Sequence, residues 1–563
     1  MNRRNFIKTT GGSLGAILLV RLNTFAENKE LSSILRFPDR VMVNTNSGMI
    51  ELNSFDKEKW QSGDLILQIK NESNSLVPYL YSPSLPVKFV TLSWEYPRAI
   101  DNLYLGDEWE RSYADLHWGK VDKERIMPWY FMEYNGESTN GFGVRTGCNA
   151  FCSWNVGKER TSLTMDVRNG GNGVKPGQRV IKLAEIIAER NLKGENPFYA
   201  TRTFSSMMCP APRLPKEPVY GINDWYFSYG HTSEKLILEH TDLIAPLADG
   251  IANRPFSMID AGWFQKAPGN EGSTCWGDNM QTPNANFPNM ASLAAKIKDR
   301  GMRPGIWTRP LCGSHTDPAN VLIPEIPDRV DSAGLPLLDP TIEENLERVK
   351  SYFKQYNEWG YEMVKFDFTT VDILGKWGFQ MIEQKDMTFP NWHFHDDSVT
   401  NAEIILGLYR AIREAAGETY LLACNTISHL AAGICEIQRI GDDTSGHEWD
   451  RTRRMGVNTL GFRITQHEKF YSTDGDCVGL TTQIPWEKNK QWMQLLAYSG
   501  TPLFVSAEAK AVGSEQKKYI RECFRAASSK LPVGEPLDWI ENRFPSRWKL
   551  DHEIVSFNWG EPG

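Results

Sequence analysis

Basic residues are not in excess: 62 Lys and Arg against 70 Asp and Glu leave a formal charge of −8. A protein that neutralises nucleic-acid phosphates needs the opposite balance, so a nucleic-acid partner is set aside. Cysteine is sparse, nine in 563 residues and odd in number. That excludes a disulfide framework, although Cys148 and Cys152 lie close enough in sequence for one local bridge. No Cys-x-x-Cys pair or His–Cys spacing marks a zinc site. No apolar run approaches the ~20 residues that span a bilayer. No Gly-rich phosphate loop follows a strand and no Gly-x-Ser-x-Gly elbow occurs, which disfavours nucleotide-binding and serine-hydrolase chemistry.

Aromatic side chains are abundant: 19 Trp, 19 Tyr and 26 Phe. Most of these fill large cores. Some rings are candidates for a sugar pocket, where a flat apolar face stacks on the C–H face of a pyranose. At ~150 residues per domain the length predicts three to four units. Residues 1–26 place Arg3-Arg4 ahead of an apolar stretch over 9–20, interrupted by Gly11, Gly12 and Gly15. This is the pattern of a twin-arginine signal and predicts an exported protein, periplasmic or extracellular. Over 27–215, short apolar runs such as 65–69 and 87–92 alternate with Gly, Asn, Ser and Pro clusters. An N-terminal β-sandwich with few helices is predicted there, ending in the stiff linker Pro210-Ala211-Pro212-Arg213-Leu214-Pro215.

From 216 to 530 the pattern changes to strand, helix, strand, helix. Helices are predicted over 234–247, 288–300, 344–358, 402–416 and 515–527. Strands are predicted over 219–226, 256–260, 303–307, 362–367, 420–424, 436–440 and 502–506, and near 469–472. About eight such units favour a central (β/α)8 barrel over an open doubly wound sheet. Residues 531–563 read as a short C-terminal β-unit.

In such a barrel the reactive residues stand at the C-terminal strand ends. Those ends carry Asp224, Trp225, Asp260, Trp307, Arg309, Lys365, Asp367, Asn425, Arg439, Asp442, Asp443, Asp474 and Asp476. Acids dominate, and two carboxylates suffice for glycoside hydrolysis, one attacking the anomeric carbon and one protonating the leaving oxygen. Lys365 lies two residues before Asp367, on the same side of a strand, where its charge favours an ionised nucleophile. An acid needs its pKa raised, and the adjacent Asp442–Asp443 pair offers like-charge repulsion to do so. Asp474 and Asp476 read as turn formers or pocket residues. The run His393-Phe394-His395-Asp396-Asp397 reads as a polar loop rather than a metal cluster.

Four motifs occur in order: Ile259-Asp260-Ala261-Gly262-Trp263, 301–310 with Trp307, Val364-Lys365-Phe366-Asp367, and Arg439-Ile440-Gly441-Asp442-Asp443-Thr444. Together they resemble glycoside hydrolase family 36 and its clan relatives, the retaining α-galactosidases. The resemblance covers roughly 219–530 and implies an α-glycosidase acting on terminal α-galactosides of oligosaccharides or glycans, without metal or cofactor. It implies Asp367 as nucleophile and Asp443 as acid/base, with Asp442 the close alternative. It further implies sugar contacts from Asp260 and Trp307, with Arg439 holding a hydroxyl or orienting the acid. Trp225, Lys365 and Asn425 complete the expected pocket. One departure stands out: Ala261 replaces the second Asp of the family's Asp-Asp-Gly-Trp. A lost hydroxyl partner changes sugar preference, so an α-N-acetylgalactosaminide or β-L-arabinopyranoside is an alternative substrate. A non-hydrolytic glycan-binding protein on the same barrel is the alternative from another class.

Overall fold

The computed structural model describes residues 36–99, 101–191, 196–270, 277–326 and 335–560. Residues 1–26, where an export signal is expected, and Cys275 lie outside the described residues. Two antiparallel sheets, of six and nine strands, make up the N-terminal part. The predicted strands appear as Leu65–Glu72 and Val87–Glu95. The two sheets meet through rings: Phe131 and Trp154 sit edge to face at 5.6 Å. Cys148 and Cys152 are buried free thiols.

One helix, Pro197–Met208, departs from the prediction of strands with few helices. Its start was encoded locally: Asn196 caps the N–H of Tyr199 at 3.1 Å and Pro197 takes the first turn. Between this helix and Tyr220 there is neither helix nor strand.

The central part is a curled, wholly parallel sheet of nine strands. They are β1 (Tyr220–Asn223), β2 (Phe256–Ile259), β3 (Arg303–Thr308), β4 (Met363–Phe366), β5 (Tyr420–Ala423), β6 (Ile437–Arg439), β7 (Ser472–Asp474), β8 (Cys477–Leu480) and β9 (Leu503–Ala507). Their order is β7-β6-β5-β4-β3-β2-β1-β9-β8. The two edge strands, β7 and β8, are consecutive in sequence, with only Gly475 and Asp476 between them.

Helices follow the strands because their apolar residues recur at helical spacing. In Met290–Asp299, Met290, Leu293, Ala294 and Ile297 are buried, and Asn289 caps the N–H of Ser292. In Glu343–Glu358 the buried face is Asn345, Val349, Tyr352, Phe353 and Tyr356. Each fully buried apolar side chain contributes roughly 1.5–3 kcal/mol. Helix Trp486–Tyr498 and strand β8 were not legible, since neither carries a clean period. A three-stranded sheet, Glu535–Pro536, Arg547–Leu550 and Glu553–Ser556, ends the described chain.

Candidate active site

The C-terminal ends of the parallel strands open on a cleft of about 400 Å³. Of the eight residues that the family resemblance implies for the site, six line it: Trp225, Asp260, Trp307, Lys365, Asp367 and Asp443. Asn425 and Arg439 do not. Ala261 and Asp442 complete this side, and Phe368, Trp377 and Phe379 add aromatic wall. Arg111 and Tyr113 enter from the N-terminal part.

Asp367 stands one residue beyond β4, where the chain leaves the sheet. Its Oδ1 accepts the N–H of Phe368 at 2.8 Å and of Asn425 at 3.0 Å. Its Oδ2 accepts the Trp307 indole N–H at 3.2 Å. Three neutral donors stabilise a carboxylate without neutralising it. The Phe368 donor is available because that residue turns sharply, with φ at +65°. A non-glycine residue held there costs about 1–3 kcal/mol, and such strain clusters at functional sites. Arg309 holds the Phe368 ring in place, its guanidinium 4.2 Å from the centroid.

Lys365 does not hold Asp367 directly. Its Nζ donates to Asp260 Oδ2 at 2.8 Å, and both side chains are buried. Burial opposes the ammonium, but the Asp260 carboxylate and, less strongly, that of Asp367 keep its pKa well above the ordinary value. The i, i+2 spacing put Lys365 on the correct side of the strand; the neighbouring strand supplied a nearer anion. Asp260 also accepts from Asn223 Nδ2 at 2.7 Å and from the N–H of Ala261 at 2.9 Å. Behind it, burial and the charge of Asp260 push Asp224 up to about 6. Removing one partner of a buried pair strands the other. Lys365→Met is therefore expected to lower stability by about 3 kcal/mol, measured by chemical denaturation; an unchanged midpoint would show that Asp260 does not need its cation.

The motif after β6 reaches the cleft through Gly441, where a Cβ would meet the Met455 carbonyl oxygen at 2.3 Å. Asp442 and Asp443 then diverge. Both Asp442 oxygens are engaged, Oδ1 by Arg111 at 3.1 Å and Oδ2 by Arg451 at 2.7 Å. Asp443 keeps 38% of its side chain exposed, facing the cleft, with Arg439 at 3.2 Å and Arg111 at 3.5 Å on Oδ1. Burial acts to raise its pKa, but Arg439 and Arg111, with Lys365 and Arg451 behind them, outweigh it and hold the carboxyl below the usual range. The expected like-charge elevation from Asp442 is thus reversed, because guanidiniums outnumber the neighbouring acid.

Arg439 lies beneath the cleft wall, 1% exposed, bound to Asp443, to Asp476 at 2.8 Å and to Asp474 at 3.5 Å. It can orient Asp443; its burial leaves no face for a sugar hydroxyl. Asp474 and Asp476 serve the same buried cluster, and Asp476 turns the chain between β7 and β8 with φ at +75°. The Asn425 side chain is also turned away. Its amide donates to Glu110 and its Oδ1 accepts the Val371 N–H at 3.1 Å, leaving only its backbone N–H to serve Asp367.

Sequence reasoning missed Arg111, Tyr113 and Glu110, which belong to the N-terminal part, more than 300 positions from Asp443. The available signal was the run Asp107-Glu108-Trp109-Glu110-Arg111, unusually charged for a segment rich in core aromatics. In the His393–Asp397 loop, the N–H of His395 donates to Asp339 at 2.8 Å and Asp396 caps Ser398 at 2.9 Å. Among the described residues no cluster of three or more His, Cys, Asp or Glu could hold a metal ion. No described helix is long and apolar enough to cross a membrane.

No family model matches the sequence. Solved structures do resemble the fold. An α-galactosidase from Thermus thermophilus, in complex with p-nitrophenyl α-D-galactopyranoside, aligns with a TM-score of 0.58 at 17% identity, over 92% of this chain and 99% of that one. A family 36 α-galactosidase variant from Geobacillus stearothermophilus, in complex with raffinose, gives 0.59 at 11% identity, over 90% and 78%. The α-galactosidase from Lactobacillus brevis gives 0.57 at 13% identity, over 86% and 72%. The chain therefore shares the fold of solved α-galactosidases, members of glycoside hydrolase family 36 among them.

Proposed function

We propose that this protein is a retaining, exo-acting α-glycosidase, in the first instance an α-galactosidase, exported from the cell. The observation that carries the reading is the pair Asp367 and Asp443, lining one compact cleft, the first held by neutral N–H donors and the second by guanidiniums. Asp367 is held by three neutral N–H donors that fix its carboxylate at the cleft. It attacks C1 and forms a covalent glycosyl-enzyme. Asp443 gives its proton to the departing oxygen, then takes one from the water that releases the sugar. Two inversions retain the configuration. In the empty cleft Asp443 favours the anion. A bound sugar displaces water from its exposed face, and that desolvation favours the protonated form, so proton uptake accompanies binding.

The fold supports the same reading. Because only Gly475 and Asp476 separate the edge strands β7 and β8, we take these to be two halves of one interrupted strand and the curled sheet to be a closed (β/α)8 barrel. We likewise take the two sheets before it to be a sandwich, and the sheet over 535–556 to be the C-terminal β-unit. The bound α-galactosides of the similar structures favour galactose.

Ala261 favours a second sugar. Its methyl lines the cleft where a carboxylate would bond a hydroxyl. A panel of nitrophenyl α-galactoside, α-N-acetylgalactosaminide and β-L-arabinopyranoside tests activity and first-subsite sugar together. Release is expected from at least one of the three. Measurable glycan binding with no release from any would replace the hydrolase by a binding protein.

A further inference from the structure

We propose that Glu110 and Arg111, adjacent residues of the N-terminal part, are positioning residues for the two carboxylates, Glu110 for Asp367 and Arg111 for Asp443. This rests on the roles assigned to Asp367 and Asp443 above. The N-terminal part is then a component of the site rather than an appendage to it.

The segment around these residues is pinned to the top of the parallel sheet. Arg463, 1% exposed, donates to Asp107 at 2.8 Å, to the Glu110 carbonyl at 2.6 Å and to the Ile440 carbonyl at 2.9 Å. The Ser112 N–H donates to the Ile440 carbonyl at 2.8 Å, and the Asp442 N–H donates to the Ser112 carbonyl at 3.0 Å. The segment thus pairs in parallel with the stretch that carries Asp443.

From this fixed backbone the two side chains serve different carboxylates. Glu110 is fully buried and accepts from the Gly378 N–H at 2.8 Å, from the Tyr113 hydroxyl and from the Asn425 amide. Asn425, locked this way, presents its backbone N–H to Asp367. Arg111 spans Asp442 and Asp443 with its two terminal nitrogens, its guanidinium 5.4 Å from the Trp377 ring centroid. One dipeptide therefore connects the nucleophile's donor to the acid's cation, and its geometry fixes the relation between them. A misplacement of even 1 Å between reacting groups can cost on the order of 100-fold in rate.

The charged and titratable groups facing Asp443 are Arg439 from β6, Arg111, Lys365 from β4, Arg451 from the helix Trp449–Thr452, its neighbour Asp442, and the phenols of Tyr226 and Tyr229. Arg111→Met removes the one cation among them supplied by the N-terminal part. Its kcat is expected to fall about 10- to 100-fold. The basic limb of its kcat/KM profile, which reports the free enzyme's acid, is expected to move to higher pH, since Asp443 keeps its proton longer without that cation. Arg111→Lys should return the limb towards the wild-type position, and Arg451→Met, which acts mainly on Asp442, should move it less. Glu110→Gln should lower kcat at least ~10-fold with KM nearly unchanged. These profiles are measured on whichever nitrophenyl glycoside the wild type hydrolyses, with thermal melts to confirm folding. If Arg111→Met does not fold, Arg111→Gln carries the same expectation. An unmoved basic limb in a folded Arg111 variant, or unchanged kcat in folded Glu110→Gln, overturns this inference and leaves the proposed function intact. A wild type inert on every glycoside tested overturns the proposed function, and this inference with it.

Discussion

Asp367→Asn is expected to lower kcat/KM on an aryl α-galactoside by about 10⁴-fold or more, some 5.5 kcal/mol of barrier. The substitution is nearly isosteric, and an amide oxygen in the Oδ1 position still accepts from Phe368 and Asn425, so only the Trp307 indole N–H loses its acceptor. Folding should survive while the nucleophile is lost, because an amide does not displace a leaving group at an anomeric carbon. Wild-type burst kinetics and mass spectrometry on a slow substrate should find the sugar on the peptide containing Asp367. A folded Asp367→Asn protein with normal turnover would remove this residue from the mechanism and with it the double displacement.

Asp443→Asn is expected to behave differently. General acid–base catalysis contributes about 10²–10⁴-fold, and the loss should depend on the leaving group. An oligosaccharide, whose departing oxygen needs a proton, should lose the full amount. A nitrophenolate, which leaves unassisted, should lose less in the first step, and the glycosyl-enzyme should accumulate because no base activates water. Azide, which needs no base, should restore turnover and give an α-glycosyl azide, since it attacks an intermediate already inverted once. An azide of β configuration would mean that no covalent intermediate forms. Equal losses on both substrate types would show that Asp443 is not the proton donor and would return attention to Asp442. The ion pairs argue against that outcome: both Asp442 oxygens are held by arginines, whereas Asp443 faces the cleft.

Sequence reasoning served the parallel sheet best. Its helices carry regular apolar stripes, and its functional residues sit at strand ends, which a period can locate. It served the N-terminal part less well. The Pro197–Met208 helix was announced only by its cap, and β8 is too short and too buried to show alternation. Roles were harder than positions. Lys365 was placed on the correct side of its strand, yet its partner Asp260 lies on another strand, and no spacing within one strand reveals a cross-strand distance. Asn425 stands at a strand end, but Glu110 turns its side chain away from the cleft.

What the sequence by itself determined is local and periodic: the strand–helix alternation, the strand-end acids and the placing of Asp367 directly after β4 and of Asp443 four residues beyond the end of β6. What only the tertiary structure decided is which charges meet. Arg111 approaches Asp443 because a segment of the N-terminal part docks beside Ile440 and Asp442. That contact joins Arg439 in outweighing burial and holding the Asp443 carboxyl low. Electrostatic energy falls with distance in space, and distance along the chain carries no record of it.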